Sequence, residues 1–204
     1  MPLFLLVRHG ENNHVKTGRL AGRLPGVHLN DKGRQQAGLL AEKLASVPIK
    51  AVYSSPLERA LETATPIAAA LNMPVIENAG LIETDYGEWQ NQKLKGLSRL
   101  KSWRLVQTAP SVMRFPAGER FADAQMRIAN TLLNILPQHE PKDVVICVSH
   151  ADPIKLAVAY FIGLPLDMFQ RLSVSPASVT VLALGESGGR LLALNAQTDF
   201  DFEH

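Results

Sequence analysis

The stretch FLLVRHGENNH (residues 4–14) joins a short apolar run to an arginine and a histidine that are neighbours in the chain. The run LFLLV (residues 3–7) is continuously apolar and of strand length, which is typical of a strand covered on both faces in a parallel sheet. Arg8 and His9 then stand at the carboxyl end of that strand. In an open α/β sheet this is the edge where ligands bind.

The rest of the chain alternates strand and helix patterns. Apolar runs predict strands at residues 49–55, 74–78 and 143–150 and a hairpin-like pair at 178–184 and 189–195. Helical spacing predicts helices at residues 29–45, 56–72, 118–136 and 151–163. The alternation favours an α/β fold, a three-layer αβα sandwich with a mostly parallel open sheet.

Local signals mark where these helices begin and end. Asn30 or Asp31 is a candidate N-cap, and Pro56 suits a first helical turn because its missing N–H costs no helical bond there. Pro66 predicts a kink or an early stop, and Gly163 ends the last helix.

No linker divides the sequence, so we expect one domain over residues 1–204. From residue 85 to about 115 the pattern loosens, which predicts an excursion from the sheet. We interpret residues 85–120 as a cap or insertion.

Composition limits the function classes. A formal net charge of +2 is too small for a general nucleic-acid binder. No apolar stretch approaches the roughly 20 residues that cross a bilayer, and the N-terminal run is too short for a signal peptide. Cys147, the only cysteine, lies in an apolar run and forms no intrachain disulfide. We therefore expect a cytoplasmic protein that binds neither nucleic acid nor membrane.

A second strand ends as the first does. Residues 143–150 deliver Ser149 and His150 to the carboxyl edge, and Arg59 lies near the start of the helix that follows residues 49–55. Two arginines and two histidines in one crevice suit a phosphate dianion, because guanidinium groups bind it bidentately and imidazole either donates to its oxygens or attacks its phosphorus.

Four blocks, VRHGEN, SSPLERALETA, LIETDYGEW and CVSHADPIK, resemble in order and spacing the signature blocks of the histidine phosphatase superfamily, which includes cofactor-dependent phosphoglycerate mutases. GRLPGVHLNDKGRQQA resembles a further block, so the resemblance spans residue 3 to about 155. It implies a phosphoglycerate mutase-like fold. The chain is most similar to a subgroup often labelled probable phosphomutase or phosphatase.

The resemblance also implies roles for five residues. His9 is the nucleophile that becomes phosphohistidine, and Glu83 protonates the leaving oxygen. Arg8, Arg59 and His150 form the cradle for the phosphoryl oxygens. Asn12 is a further candidate phosphate contact, because its side-chain amide can donate to a phosphate oxygen. The chemistry agrees, because neutral imidazole is a competent nucleophile near pH 7 and in-line transfer needs charge stabilisation more than covalent help.

The chain departs from the family pattern at several positions. Asn12 and Val15 replace a usual Ser or Thr and a usual Asn, and Ala21 precedes Gly22 where phosphoglycerate mutases carry Thr-Gly. Asn91 replaces a usual Gly. The nucleophile, the acid and the cradle are kept, so the departures concern the substrate contacts.

Two other chemistries are weaker. A metal set of His9, His14, Glu83 and His150 matches no compact ligand motif, and the arginines would repel a cation. A serine-hydrolase triad of Ser149, His150 and Asp152 is disfavoured because neighbours on a strand end point apart. We expect no metal or other cofactor, and a 2,3-bisphosphoglycerate-type phosphoryl donor only for a mutase.

The cap segment is basic. Between residues 90 and 120, seven lysines and arginines face one acidic residue, Glu119. They form either a positive lid that attracts anionic substrates or a solvated basic face. Trp89 and Trp103 either line the pocket or pack the cap.

Three functions remain open. The chain is a metal-independent phosphatase of a small phosphorylated metabolite, a phosphomutase, or a non-catalytic phosphate-binding module. The phosphoglycerate mutases of the family carry a longer insertion after the acid, so the length of 204 residues favours hydrolysis. The apolar C-terminal strand pair is either a homodimer edge or an ordinary sheet border. The acidic tail, residues 199–204, is expected to be flexible.

Overall fold

The computed structural model describes residues 1–185 and 188–197, which contain a six-stranded sheet. Its strands are β1 Leu3–Arg8, β2 Ile49–Ser54, β3 Val75–Glu77, β4 Val144–Ser149, β5 Val179–Gly185 and β6 Gly188–Ala196. They lie in the order β3-β2-β4-β1-β5-β6. The first four are mutually parallel, and β5 and β6 run antiparallel to their neighbours. The prediction of a mostly parallel open sheet is confirmed.

The helices are α1 Asn13–Lys16, α2 Asp31–Leu44, α3 Glu58–Ala70, α4 Leu94–Leu97, α5 Lys101–Thr108, α6 Phe121–Ile135 and α7 Ala151–Phe161. Short 3₁₀ turns lie at Ala79–Leu81, Gly87–Trp89, Pro110–Val112, Leu136–Gln138 and Leu166–Arg171. The sequence analysis did not predict α1, which is only one turn long.

Side chains of β1 alternate between two hydrophobic layers. Leu5 and Val7 belong to the cluster that contains buried residues of α2 and α3, whereas Phe4 and Leu6 belong to the cluster with α6 and α7. All four are almost completely buried, and each such side chain contributes about 1.5–3 kcal/mol to stability. The three-layer α/β/α architecture is thus confirmed.

Pro56 does not lie in the first turn of its helix as predicted, and Pro66 does not cause an early stop. Helix α3 begins at Glu58, so Pro56 precedes the helix. Pro66 lies inside α3, which continues to Ala70. Proline removes one helical hydrogen bond, but Ile67 is fully buried and Ala68 nearly so, and this burial holds the last turn in place.

Two other signals give the expected ends. Asn30 is the N-cap of α2, because its side-chain oxygen accepts a hydrogen bond from the Gly33 amide. Gly163 follows α7 with a φ of +70°, the left-handed conformation that commonly ends a helix.

The register of β1 and β4 aligns their carboxyl ends. Arg8 pairs with Ser149 across the ladder, so the residues that follow, His9 and His150, leave the sheet side by side. The His9 amide donates to the Ser149 carbonyl at 3.0 Å, and the Ser55 amide after β2 donates to the Val148 carbonyl at 2.9 Å. Three neighbouring strands thus end at one edge.

Residues 85–120 contribute no strand to the sheet. Trp89, Val106 and Phe115 of this segment are buried in the same cluster as α6 and α7. Among the described residues, no helix has the length and apolar character that crossing a bilayer requires. The acidic tail at residues 199–204 lies outside the described residues.

Candidate active site

His9 lies just beyond β1 and is 3% exposed. Its Nδ1 is 2.7 Å from the Gly10 carbonyl, which can only accept, so Nδ1 carries the hydrogen and Nε2 keeps its lone pair. Burial, with the charges of Arg59 and Arg8, holds the His9 pKa well below the usual imidazole value. The imidazole is therefore neutral near pH 7, with Nε2 as a nucleophile.

Arg59, the second residue of α3, is fully buried. Its Nε donates to His9 Nε2 at 3.2 Å and its Nη2 donates to the Gly22 carbonyl at 2.7 Å, while Nη1 has no hydrogen-bond partner among the described residues. Burial lowers its pKa, but guanidinium stays charged in proteins. A buried cationic donor without a partner is costly, and an anion would satisfy it.

Arg8 provides a second guanidinium. Nη1 donates to the Val174 carbonyl at 2.7 Å, and Nε is buried without a partner in the described part of the chain. Burial lowers the Arg8 pKa, and the nearby Glu83 carboxylate opposes that shift.

His150 precedes α7 and is fully buried. Its ring lies 5.1 Å from the His9 ring, centre to centre, at an interplanar angle of 61°. Its Nε2 is 2.8 Å from the Ser55 hydroxyl, a contact that the sequence analysis missed. Burial and Arg59 hold the His150 pKa well below its usual value.

The serine-hydrolase hypothesis is wrong. The Ser149 hydroxyl donates to the Leu81 carbonyl at 2.7 Å and not to His150. Asp152 accepts from the Tyr86 hydroxyl at 2.8 Å and pairs with Lys155 at 2.8 Å, so Ser149, His150 and Asp152 form no relay.

Glu83 is 7% exposed and accepts a hydrogen bond from the Thr84 amide at 2.9 Å. Burial and the negative charge of Asp152 raise the Glu83 pKa to about 7, against the opposing charge of Arg59. An acid with a pKa near the working pH transfers a proton efficiently. Sequence reasoning identified Glu83 but did not place Tyr86 or Asp152 beside it, although both lie within the quoted blocks.

Asn12 is completely buried, and the two polar atoms of its side chain differ in their hydrogen bonding. Its Oδ1 caps α1 by accepting from the Val15 amide at 2.9 Å, and its Nδ2 has no partner among the described residues. The amide group thus has a donor available toward the cavity that it lines.

Backbone geometry explains which residues are found at positions 10 and 91. A Cβ on Gly10 would lie 2.6 Å from the Gly33 carbonyl, so the loop after His9 can approach α2 only without a side chain. Asn91 has a φ of +63°, a conformation that glycine adopts freely and asparagine tolerates. The replacement of the usual Gly by Asn91 is therefore conformationally neutral.

These residues surround one cavity of about 300 Å³. Arg8, His9, Asn12, Arg59 and Glu83 all line it. His150 does not line the cavity and packs edge-on against His9. In residues 1–185 and 188–197, no group of three or more His, Cys, Asp or Glu side chains is arranged to hold a metal ion, so the hypothetical set of His9, His14, Glu83 and His150 has no support.

The sequence model of the histidine phosphatase superfamily (branch 1) matches residues 4–197 of this chain. The chain belongs to this superfamily. Phosphoserine phosphatase 1 of Hydrogenobacter thermophilus is 32% identical over 96% of this chain and 92% of its own length. A 2,3-bisphosphoglycerate-dependent phosphoglycerate mutase of Thermoplasma acidophilum is 29% identical over 96% of this chain and 93% of its own length.

The comparison with solved structures gives a similar result. Phosphoserine phosphatase from Entamoeba histolytica, in complex with 3-phosphoglyceric acid, superposes with a TM-score of 0.88 and 26% identity, covering 97% of this chain and 98% of that one. This histidine phosphatase is therefore an enzyme of phosphoryl transfer, and its relatives support a phosphatase that acts through a phosphohistidine. The non-catalytic hypothesis has no support.

Proposed function

We propose that this histidine phosphatase hydrolyses small phosphomonoesters through a phosphorylated His9 and without a metal ion. One observation carries the proposal: neutral His9 lines the same cavity as a carboxyl whose pKa is about 7 and two guanidinium groups, each with an N–H donor that has no partner among the described residues. These are a nucleophile, an oxyanion cradle and an acid.

In the first step, Arg59 Nε moves its hydrogen bond from His9 Nε2 to a phosphoryl oxygen, and the lone pair on Nε2 attacks phosphorus. The bond from phosphorus to the ester oxygen breaks, and the protonated Glu83 carboxyl gives its proton to the departing alkoxide. N–H groups of Arg8, Arg59 and Asn12 bind the equatorial oxygens, where charge is stabilised in phosphoryl transfer. His150 packs edge-on against the His9 ring and so helps to position the nucleophile.

In the second step, a water oxygen attacks phosphorus from the side that the alcohol left. The Glu83 carboxylate takes a proton from this water, and the phosphorus–nitrogen bond breaks. Inorganic phosphate leaves, while His9 is again neutral and Glu83 again protonated, so the cycle is closed.

The cavity favours hydrolysis over a mutase reaction. A phosphoglycerate mutase must hold an intermediate that carries two phosphates and a carboxylate, so it needs positive charge beyond the cradle. Outside Arg8 and Arg59, the only arginine or lysine among the described lining residues is Arg19, and its Nη1 already donates to the Asn91 carbonyl at 2.6 Å. Hydrolysis needs no second anion site.

Chain length does not distinguish hydrolysis from a mutase reaction, although the sequence analysis used it to favour hydrolysis. The Thermoplasma acidophilum relative has a mutase name, and the chain covers 93% of it. A short chain is therefore compatible with either reaction.

The proposed partner is a small phosphorylated metabolite, and the proposed compartment is the cytoplasm, where the free, buried Cys147 thiol stays reduced.

We also propose a homodimer through β6, an edge strand whose Leu192 is 52% exposed. Light scattering should give twice the chain mass of 22.3 kDa, and Leu192→Glu should give a monomer. A wild-type monomer would exclude this dimer.

The function is tested by measuring phosphate release from a panel of phosphorylated metabolites. A parallel coupled assay follows conversion of 3-phosphoglycerate to 2-phosphoglycerate with and without 2,3-bisphosphoglycerate. We expect release without isomerisation. Isomerisation that depends on the bisphosphate, with little release, would make the enzyme a mutase.

A further inference from the structure

We infer that the enzyme prefers phosphomonoesters whose alcohol portion is apolar, such as an aralkyl or alkyl group, over phosphorylated hydroxy acids and amino acids. This inference rests on the proposed function and names the substrate class of the same site. It comes from the cavity wall that lies outside the phosphate cradle.

That wall is largely apolar and is built from several parts of the chain. The loop after α1, both cap helices, the segment that follows them and the start of α6 each contribute. Its apolar side chains, here called the apolar wall, are Leu20, Leu94, Trp103, Val106, Phe115 and Phe121.

Stacked aromatic rings hold the apolar wall in place. The Trp103 ring stacks on Trp89 with centres 6.1 Å apart and an interplanar angle of 24°. Trp89 meets Phe115 edge to face at 5.4 Å, and Phe115 meets Phe121 in the same way at 5.1 Å. Trp89, Phe115 and Phe121 are buried, so the surface offered by Trp103 is pre-formed.

The same wall offers little to a carboxylate. Arg19 is the single cationic group of the described lining outside the cradle, and its Nη1 donates to the Asn91 carbonyl at 2.6 Å and to the Asn91 side-chain oxygen at 3.5 Å. The seven basic residues between positions 90 and 120 are all exposed, and none lines the cavity.

Acidic groups make a substrate carboxylate less favourable still. Glu83 and Asp152 both line the cavity, and Asp152 is already paired with Lys155 and the Tyr86 hydroxyl. A carboxylate that enters loses water and faces the negative charge of Asp152, which is costly, while protonated Glu83 offers it no cation. An apolar group instead gains from leaving water.

The size of the gain follows from burial. Each methylene that moves from water into an apolar site contributes enough for about a four-fold increase in kcat/KM. We therefore expect a rising series for ethyl, butyl and hexyl phosphate until the cavity is full, with 2-phenylethyl phosphate at least about ten-fold above phosphoserine and 3-phosphoglycerate. All are esters of primary alcohols, so leaving-group differences are small.

Substitutions in the apolar wall test whether it causes the preference for apolar esters. Trp103→Ala should lower kcat/KM for 2-phenylethyl phosphate about ten-fold and change ethyl phosphate less than about two-fold. Leu94→Ala, at a position 36% exposed, should act in the same direction and serves if Trp103→Ala fails to fold. Leu100→Ala, at an exposed residue of the same segment that does not line the cavity, is the matched control. Gln107→Arg, which adds a cation to the lining, should raise activity on 3-phosphoglycerate.

The outcomes separate the two proposals. A flat alkyl series with phosphoserine or 3-phosphoglycerate preferred overturns the inference and leaves the phosphatase function standing. Equal losses on ethyl and 2-phenylethyl phosphate in Trp103→Ala also overturn it. No release of phosphate from any ester, including p-nitrophenyl phosphate, overturns the proposed function and with it this inference.

Discussion

Arg59 donates its Nε hydrogen to Nε2 of His9 over 3.2 Å, so a phosphate-binding guanidinium also touches the nucleophilic nitrogen. Guanidinium can only donate, and protonation of Nε2 would break this contact and place two cations side by side. The His9 pKa is therefore held well below its usual value, with burial as the largest cause. The nucleophile is thus ready in its neutral form at pH values where a free imidazole is protonated.

Replacing His9 by alanine should abolish turnover and leave the fold intact. The side chain supplies the attacking nitrogen and little of the core. Phosphate release from p-nitrophenyl phosphate, with circular dichroism as the check on folding, measures this. Labelling that is quenched in alkaline detergent, where phosphohistidine is stable, should detect a phosphoenzyme in the wild type alone. His14→Ala, outside the cavity lining, should keep full activity; turnover by His9→Ala would refute the nucleophile assignment.

Glu83→Gln should slow alkyl phosphates about 100-fold or more, because an alkoxide needs a proton to leave. p-Nitrophenyl phosphate should slow far less, since its phenolate leaves almost unaided. Steady-state kcat for ethyl and p-nitrophenyl phosphate tests this. The exposed Glu88 provides the control Glu88→Gln. Equal slowing of both esters would contradict the role of Glu83 as the acid.

The rate on alkyl phosphates should fall as the pH rises through about 7. The Glu83 pKa is raised to about 7, mainly by burial, so the carboxyl is protonated below that pH and loses its proton above it. A pH profile of kcat for ethyl phosphate should show this limb, and the limb should be weaker for p-nitrophenyl phosphate. An ethyl phosphate profile flat from pH 6 to 9 would contradict it.

The raised pKa of Glu83 also makes the free energy of unfolding depend on pH. The direction is opposite to that for a salt-bridged carboxylate, whose pKa folding lowers. Folding favours the protonated form of Glu83, so its contribution to the free energy of unfolding is present below the unfolded pKa near 4.5 and is lost as pH rises through about 7. Glu83→Gln cannot ionise. Urea titrations should therefore show it gaining stability relative to the wild type between pH 5 and 8; an unchanged difference would contradict the raised pKa.

Much of the site could be predicted because backbone topology places it. Arg8, His9 and His150 follow parallel strands of matching register, and Arg59 opens the helix after a third strand, so convergence needed only the strand pattern. Which partner each side chain selects depends on tertiary packing. The contacts of His150 with Ser55 and of Tyr86 with Asp152 could not be derived for that reason.

The fold, like the site, combines features that the sequence predicts with features that depend on tertiary packing. Apolar runs predicted the strands, whereas the early stop at Pro66 does not occur, because tertiary burial of Ile67 outweighs a local helix-breaking preference. The basic residues of the cap could be counted but not placed. Their distance from the cavity lining depends on how α4 and α5 pack, which periodicity does not specify.

Activity should be unchanged in excess EDTA. Arg8 and Arg59 supply the positive charge that a metal ion supplies elsewhere, so phosphoryl transfer should proceed after dialysis against the chelator. Phosphate release before and after treatment measures this. A loss that Mg²⁺ or Zn²⁺ restores would overturn the metal-free mechanism.

Asn12 allows its structural and functional contributions to be separated. Its Oδ1 caps α1 through the Val15 amide, while its Nδ2 is buried without a partner among the described residues. Asn12→Asp keeps the cap oxygen but replaces the donor with an anion that repels phosphate, so kcat/KM should fall at least about ten-fold with thermal stability little changed. Asn12→Ser keeps both a cap oxygen and a donor and should stay within about three-fold of the wild type. If both variants match the wild type in kcat/KM, Asn12 is only a helix cap and makes no contact with phosphate.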